Sequence, residues 1–190
     1  MLCLIGTNFV LLQPIRPWLR LSTRWEVCGR SFPPTKTRKR ENNKRPMETI
    51  KSQKFGGERP LFGVHDVRLE DIEIVDGESG IKCCKQVECH NSKFYGKYPW
   101  WHVDGSLITN CYFAPGSRSA IWYSDDMVMR DCVIDGPKFF REMKNVTLEN
   151  VKITDADETF WRIDGLKIKN VELHQGTYPF MFSKNIYVDG

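Results

Sequence analysis

A repeat of about twenty residues runs from His65 to the end of the chain and constrains the fold more than any other feature. Two and four places after the start of each unit lie mostly apolar residues, with mostly polar residues between them. This alternation is typical of a β-strand that is buried on one face only. The units begin 19 to 21 residues apart, at His65, Lys85, Asp104, Asp125, Lys144, Asp164 and Lys184.

Each of the first six units carries an Asn or Asp six places after its start. Beyond this residue the apolar positions move from even to odd offsets, which indicates that the chain turns a corner. Asn and Asp suit such corners because they tolerate left-handed backbone conformations and hydrogen-bond to nearby backbone. On coils stacked about 4.8 Å apart, their side chains can also bond along the axis as a ladder. The residues concerned are Asp71, Asn91, Asn110, Asp131, Asn150 and Asn170.

These units predict an all-β fold: a right-handed parallel β-helix, or β-solenoid, of short strands joined at corners. Residues 65–190 provide six coils and the start of a seventh. A leucine-rich repeat has a similar period, but its asparagine follows the last leucine of the strand by three places instead of two. Glycines and prolines such as Gly136 and Pro137 also leave no room for its helix. The chain ends within a predicted strand, so we expect a C-terminally truncated fragment that self-associates through its exposed end.

Residues 1–46 lie outside the repeat and are predicted to be a disordered or non-native leader, with Met47 as the natural start. Two alternatives stay open: an uncleaved secretion signal over residues 2–12, and a basic tail that binds nucleic acid. Residues 47–64 contain Gly56, Gly57, Pro60 and Gly63 and are predicted to form an N-terminal turn or cap segment. We expect a cytoplasmic protein, with secretion through residues 2–12 as the alternative.

The composition argues against several kinds of partner. The formal net charge is +4, and six basic residues against one acid in residues 35–45 contribute +5 of it, so the remainder is nearly neutral. We therefore expect no nucleic-acid partner. No apolar run reaches the roughly 18 residues of a membrane span, so no membrane partner is expected.

Seven cysteines without a C-x-x-C pair argue against a disulfide framework or a zinc site, and no cofactor is expected. Cys89, Cys111 and Cys132 occupy inward positions and are predicted to be small core residues.

An outward position three places before each unit start carries three tryptophans and an arginine within one column. Its residues are Lys82, Trp101, Trp122, Arg141, Trp161 and Met181, and the next column contains Cys83, His102, Tyr123, Glu142, Arg162 and Phe182. Aromatic faces stack on sugar rings, while Arg, His and Glu bond hydroxyls or carboxylates. The pattern predicts a binding site for a polysaccharide or oligosaccharide formed by Trp101, His102, Trp122, Tyr123 and Trp161. The alternative is a non-enzymatic structural or interaction scaffold in which the rings stack on one another.

Catalysis is left open by the sequence. A polysaccharide lyase needs a base and a cation, for which Arg141, Glu142 and Arg162 are weak candidates. A glycoside hydrolase needs paired carboxylates, and a Ca²⁺ site needs several oxygen ligands. Asp155, Asp157 and Glu158 are weak candidates for either role, although charged residues at solenoid corners are usually just solvated.

Five stretches carry a resemblance to a known family: GGERPLFG (56–63), FYGKYPWWHVDG (94–105), YFAPGSRSA (112–120), PKFFRE (137–142) and DADETFW (155–161). The chain resembles an uncharacterised bacterial family of right-handed β-helix proteins, pectin-lyase-like in fold and labelled only as a domain of unknown function. The resemblance covers residues 47–190, and residues 1–46 have no counterpart in it. It implies the fold but supplies no activity and no catalytic residues.

Overall fold

The computed structural model describes residues 46–190, which form fourteen β-strands and contain no helix. No segment of this part of the chain is therefore a helix that could cross a membrane. The predictions for residues 1–45 lie outside the described residues. The strands are β1 (Glu48–Lys51), β2 (Lys54–Phe55), β3 (Leu61–Phe62), β4 (His65–Glu70), β5 (Glu73–Ile74), β6 (Ile81–His90), β7 (Lys93–Phe94), β8 (Trp100–Thr109), β9 (Tyr112–Phe113), β10 (Ile121–Trp122), β11 (Met127–Ile134), β12 (Arg141–Ile153), β13 (Trp161–Leu173) and β14 (Lys184–Asp189).

The described strands pair in parallel, and each pairing joins residues one repeat apart. Val67 aligns with Val87, Val87 with Ser106, and Ser106 with Met127. The same register continues from β12 to β13 and from β13 to β14. The result is a parallel β-solenoid of about seven turns with some twenty residues each, which confirms the predicted β-helix.

Residues 47–64, for which the sequence predicts a terminal turn or cap segment, contain β1, β2 and β3. Glu48 aligns with Val67, Lys54 with Glu73 and Leu61 with Ile81, so this segment follows the same course as the coil after it. Its corner holds Ser52, at a φ of 52°, where later coils have Asn or Asp. The repeat is harder to recognise here because the serine replaces the residue type that marks the unit.

The interior is filled by the inward columns that the periodicity predicts. From Val67 to Ile168 the apolar residues two and four places after each start are at most 4% exposed. Aromatic rings stack inside the coils, with 4.7 Å between the ring centres of Phe94 and Phe113. Cys89, Cys111 and Cys132 are buried free thiols, as predicted for small core residues. A hydrogen bond to Cys111 and burial raise the pKa of the Cys132 thiol above its usual range.

The predicted ladder of Asn and Asp side chains forms along the solenoid axis. The side-chain amide of Asn110 donates to Asn91 over 2.8 Å, Asn150 donates to Asp131 over 2.9 Å, and Asn170 donates to Asn150 over 2.8 Å. These corner residues have φ between 51° and 54°. Asp131 interrupts the ladder, because an ionised carboxylate has no N–H to donate to Asn110 on the preceding coil.

Candidate functional site

The outward column three places before each unit start lines up along one face of the solenoid. Lys82 aligns with Trp101, Trp101 with Trp122, Trp122 with Arg141, and Arg141 with Trp161. Neighbouring strands place these residues about 4.8 Å apart in the axial direction. We call Trp101, Trp122, Arg141 and Trp161 the aromatic strip.

At one end of the aromatic strip, the tryptophan rings contact each other. The ring centres of Trp101 and Trp122 lie 4.9 Å apart with the planes inclined by 48°. Tyr98 meets Trp101 edge to face at 5.6 Å, and Lys82 Nζ lies 5.6 Å from the Trp101 ring centre. All four side chains are only partly buried, so the contacts hold the two indoles in place while part of each remains open to solvent.

Arg141 continues the strip between two tryptophans. Its guanidinium carbon lies 5.1 Å from the ring centre of Trp122 and 5.0 Å from that of Trp161. Glu158 lies 3.4 Å from Arg141 Nη1 and also 3.2 Å from Lys138 Nζ. The Arg141 side chain is only 15% exposed. Two cation–π contacts and one ion pair therefore fix its position.

Beside the strip runs a second column, formed by His102, Tyr123, Glu142 and Arg162, which we call the corner column. The rings of His102 and Tyr123 stack at 4.8 Å, and Tyr123 also stacks on Trp122 at 5.5 Å. Glu142 pairs with Arg162 over 3.2 Å. All four residues have φ between 53° and 56°, so this column is a left-handed corner.

A shallow groove of about 400 Å³ follows the corner column on the side away from the strip. Its other wall carries Asp104, Asp125, Lys144 and Asp164. A groove of about 640 Å³ runs elsewhere, past Asp66, Gln86, Glu88 and Asp126, and contains none of the predicted site residues. The four residues of the aromatic strip are partly exposed and line neither groove, which suits a polymer lying across them better than a small enclosed ligand.

The structure does not assemble the three weak metal candidates into a site. Asp155 accepts the backbone N–H of Asp157 over 3.3 Å, and Asp157 accepts the hydroxyl of Thr177. Glu158 is bonded to Lys138 and Arg141 instead. Within residues 46–190, no three or more His, Cys, Asp or Glu side chains are placed to hold a metal ion.

The three weak catalytic candidates lie near one another but are bonded within the protein. Arg141 is held between two indoles, and Glu142 forms an ion pair with Arg162. Arg162 is 58% exposed at its side chain, and Glu142 is 30% exposed. This arrangement offers hydrogen-bonding groups to a ligand, but no unpaired carboxylate among these three.

A family model described as a protein of unknown function (DUF3737) matches residues 48–190. The chain belongs to this family. The match begins at Glu48, the first residue of β1, so the DUF3737 region contains every strand described above. It agrees with the resemblance deduced from the sequence. No curated protein matches this DUF3737 chain.

Sequence reasoning did not recognise one column of the site, six places before each unit start, although it considered Glu158 as a metal or catalytic candidate. Tyr98, Lys138 and Glu158 lie in it, with φ of 49°, 64° and 47°, and each contacts a residue of the aromatic strip or its partner. The shared offset is a signal that could have revealed this column. It was hidden because the residue types at this position differ from coil to coil.

Proposed function

We propose that this chain binds an extended glycan along the aromatic strip. The observation that carries the proposal is the axial alignment of Trp101, Trp122, Arg141 and Trp161, one per coil on four successive coils. Flat aromatic faces pack against the C–H faces of sugar rings, and flanking polar groups bond the hydroxyls. A row of such groups at constant spacing matches a repeating polymer better than a single sugar.

The proposal concerns binding of a glycan and not its chemical conversion. Arg141 is held by two indoles and Glu158, and Glu142 is paired with Arg162, so these groups are arranged to hold a ligand. General acid–base catalysis needs a group free to exchange a proton at the reacting atom. Catalysis by Arg141, Glu142 and Arg162 stays an untested alternative to binding.

The test is a glycan array with the full chain, followed by titration of the best ligand using tryptophan fluorescence. We expect Trp122→Ala to weaken binding about tenfold or more, because the variant removes a stacking surface at the middle of the strip. Trp101→Ala gives a second variant, at the end of the strip and away from Arg141. Circular dichroism melting verifies that each variant is folded.

Tyr187→Ala is the matched control, since Tyr187 is an aromatic residue 63% exposed on β14, away from the strip. It should bind glycans as the unmodified chain does. An array without a glycan ligand, or equal binding by Trp122→Ala and Tyr187→Ala, would refute the proposal.

A structural scaffold is the second candidate, and the ring contacts favour it. Arg141 lies over both Trp122 and Trp161, and Trp101 contacts Trp122, so the strip also ties four coils together. If this is its only role, Trp122→Ala lowers the melting temperature while the array shows no glycan binding by either chain.

A further inference from the structure

On other faces of the solenoid, basic side chains are matched with acidic ones on the neighbouring coil. Arg68 bonds Glu88 over 2.7 Å, and Arg130 bonds Glu149 over 3.2 Å. Each pair joins residues 19 or 20 positions apart. Further pairs of this kind are Lys51–Glu70, Lys54–Glu73 and Lys152–Glu172. The pairing along these columns is incomplete, because Lys93 and Lys167 have no carboxylate within 4.0 Å among the described residues.

The face that contains the aromatic strip carries a local excess of basic residues beside its exposed rings. Between residues 79 and 162, its three columns carry four basic and two acidic residues, a difference of +2: Lys82, Lys138, Arg141 and Arg162 against Glu142 and Glu158. Both acids are already bonded to basic groups, and Glu158 is shared by two of them. Among the described residues no carboxylate lies within 4.0 Å of Lys82, whose ammonium lies near the Trp101 ring instead.

The acidic residues across the groove are engaged by their own neighbours. Asp125 accepts the backbone N–H of Lys144 over 2.8 Å, Asp104 accepts that of Asp125 over 3.4 Å, and Asp164 pairs with Lys184 over 3.1 Å. They lie beyond the corner column, and Asp104 and Asp125 keep their negative charge, so the basic surplus belongs to the three columns of the strip and not to the groove.

Hydrogen-bond donors are also in excess on this face. The Nε atom of Arg141 and the Nε1 atom of Trp122 are buried without a hydrogen-bond partner among the described residues. Both atoms are donors, and Arg162 uses only one of its nitrogens on Glu142. Arg162 therefore keeps N–H groups for a ligand, whereas the two buried donors are not accessible to one.

We propose that the glycan bound by the aromatic strip is acidic, and that its oxyanions are recognised by Arg162 and Lys82. This inference rests on the proposed function and specifies its ligand class. A guanidinium presents parallel N–H donors that match a carboxylate or a sulfate ester, and charge-assisted hydrogen bonds of this kind are among the strongest. Sugar rings stacked on Trp101, Trp122 and Trp161 would place such groups beside the basic residues.

The test compares polymers that share one backbone: hydroxyethylcellulose, carboxymethylcellulose and cellulose sulfate, titrated against the full chain. We expect at least one acidic polymer to bind about tenfold more tightly than the neutral one at low salt, with the advantage falling as salt is added. The better of the two identifies the oxyanion as carboxylate or sulfate. Equal or tighter binding of the neutral polymer overturns this inference and leaves the proposed function standing. Failure of all three polymers and of the glycan array overturns both.

Variants that change a single charge test whether the preference for acidic polymers arises at the strip. Arg162→Gln should lower the ratio of acidic to neutral affinity about tenfold, and Glu142→Gln should raise it, because the first removes a cation and the second frees one. Arg68→Gln is the matched control: it also removes an arginine from an exposed ion pair, but on another face. If Arg68→Gln lowers the ratio as much as Arg162→Gln does, binding follows overall charge and the inference is wrong.

Discussion

The guanidinium carbon of Arg141 lies 5.0 Å from the ring centre of Trp161, directly across one coil spacing, and 5.1 Å from Trp122 on the other side. Arg141 thereby links three coils through its side chain alone. Each cation–π contact of a partly buried arginine contributes on the order of 0.5–1 kcal/mol, and more when desolvated.

Arg141→Gln should therefore lower the free energy of unfolding by about 1–2 kcal/mol, because both ring contacts and the Glu158 pair are lost. Urea denaturation followed by circular dichroism measures the change. Arg68→Gln, which removes an exposed ion pair, is expected to cost less than about 1 kcal/mol. Equal losses in the two variants would mean that the ring contacts contribute nothing.

The interruption of the Asn ladder at Asp131 predicts a substitution that stabilises the fold. Asp131→Asn supplies an N–H donor facing Asn110, and the amide oxygen still accepts from Asn150. We expect the unfolding free energy at pH 7 to rise by about 0.5–1.5 kcal/mol, the net value of one hydrogen bond. Asn150→Asp breaks a ladder bond and serves as the reverse control. A less stable Asp131→Asn variant would contradict the ladder account.

The left-handed corner predicts a conflict between stability and binding. His102→Asn should stabilise the fold by about 0.5–1 kcal/mol, since Asn tolerates its φ of 54° better, although the ring stack on Tyr123 is lost. The same variant should weaken glycan binding. Cys83→Asn makes the matching change at a φ of 56° on the preceding coil, outside the predicted binding residues, and should stabilise without weakening binding. Thermal melts and the fluorescence titration separate the two effects.

The Arg68–Glu88 pair gives a pH dependence with a definite sign. A hydrogen bond from Arg68 holds the pKa of Glu88 below its usual range. A lowered pKa stabilises the fold above the unfolded-state pKa, about 4.3, and this stabilisation is lost as pH falls through the folded-state value. The stability difference between the unmodified chain and Arg68→Gln should be present at pH 7 and vanish in strong acid. Urea titrations at several pH values check this, and a difference that persists at pH 2 would contradict it.

Some corners could be recognised from the sequence and others could not. Asn91 and Asn110 mark their corner because Asn is among the few residues that readily adopt left-handed φ. Tyr123 and Arg162 lie at a corner with a similar φ, but their residue types ordinarily avoid left-handed φ. No composition signal therefore points to this corner. The same reason hid the coil at residues 47–64, where Ser52 stands in the Asn column.

Glu158 illustrates why the arrangement within the site needed the structure. Beside Asp155 and Asp157 in sequence, it suggested a metal or a carboxylate pair. In the solenoid it faces Arg141, 17 residues earlier, and Lys138, 20 residues earlier. At a corner, side chains that are adjacent in the sequence point in different directions, whereas side chains on adjacent coils lie close together. Its role therefore depended on contacts between coils.

By itself the sequence determined the period, the parallel stacking and the residues that point inward, because each of these follows from spacing that repeats in every unit. Only the tertiary structure decided which outward groups are bonded to one another, which donors stay unpaired, and that Arg141 lies between two indoles. Such contacts depend on side-chain conformations and on diagonal approaches between neighbouring coils, and these are properties of the folded surface that a one-dimensional repeat does not contain.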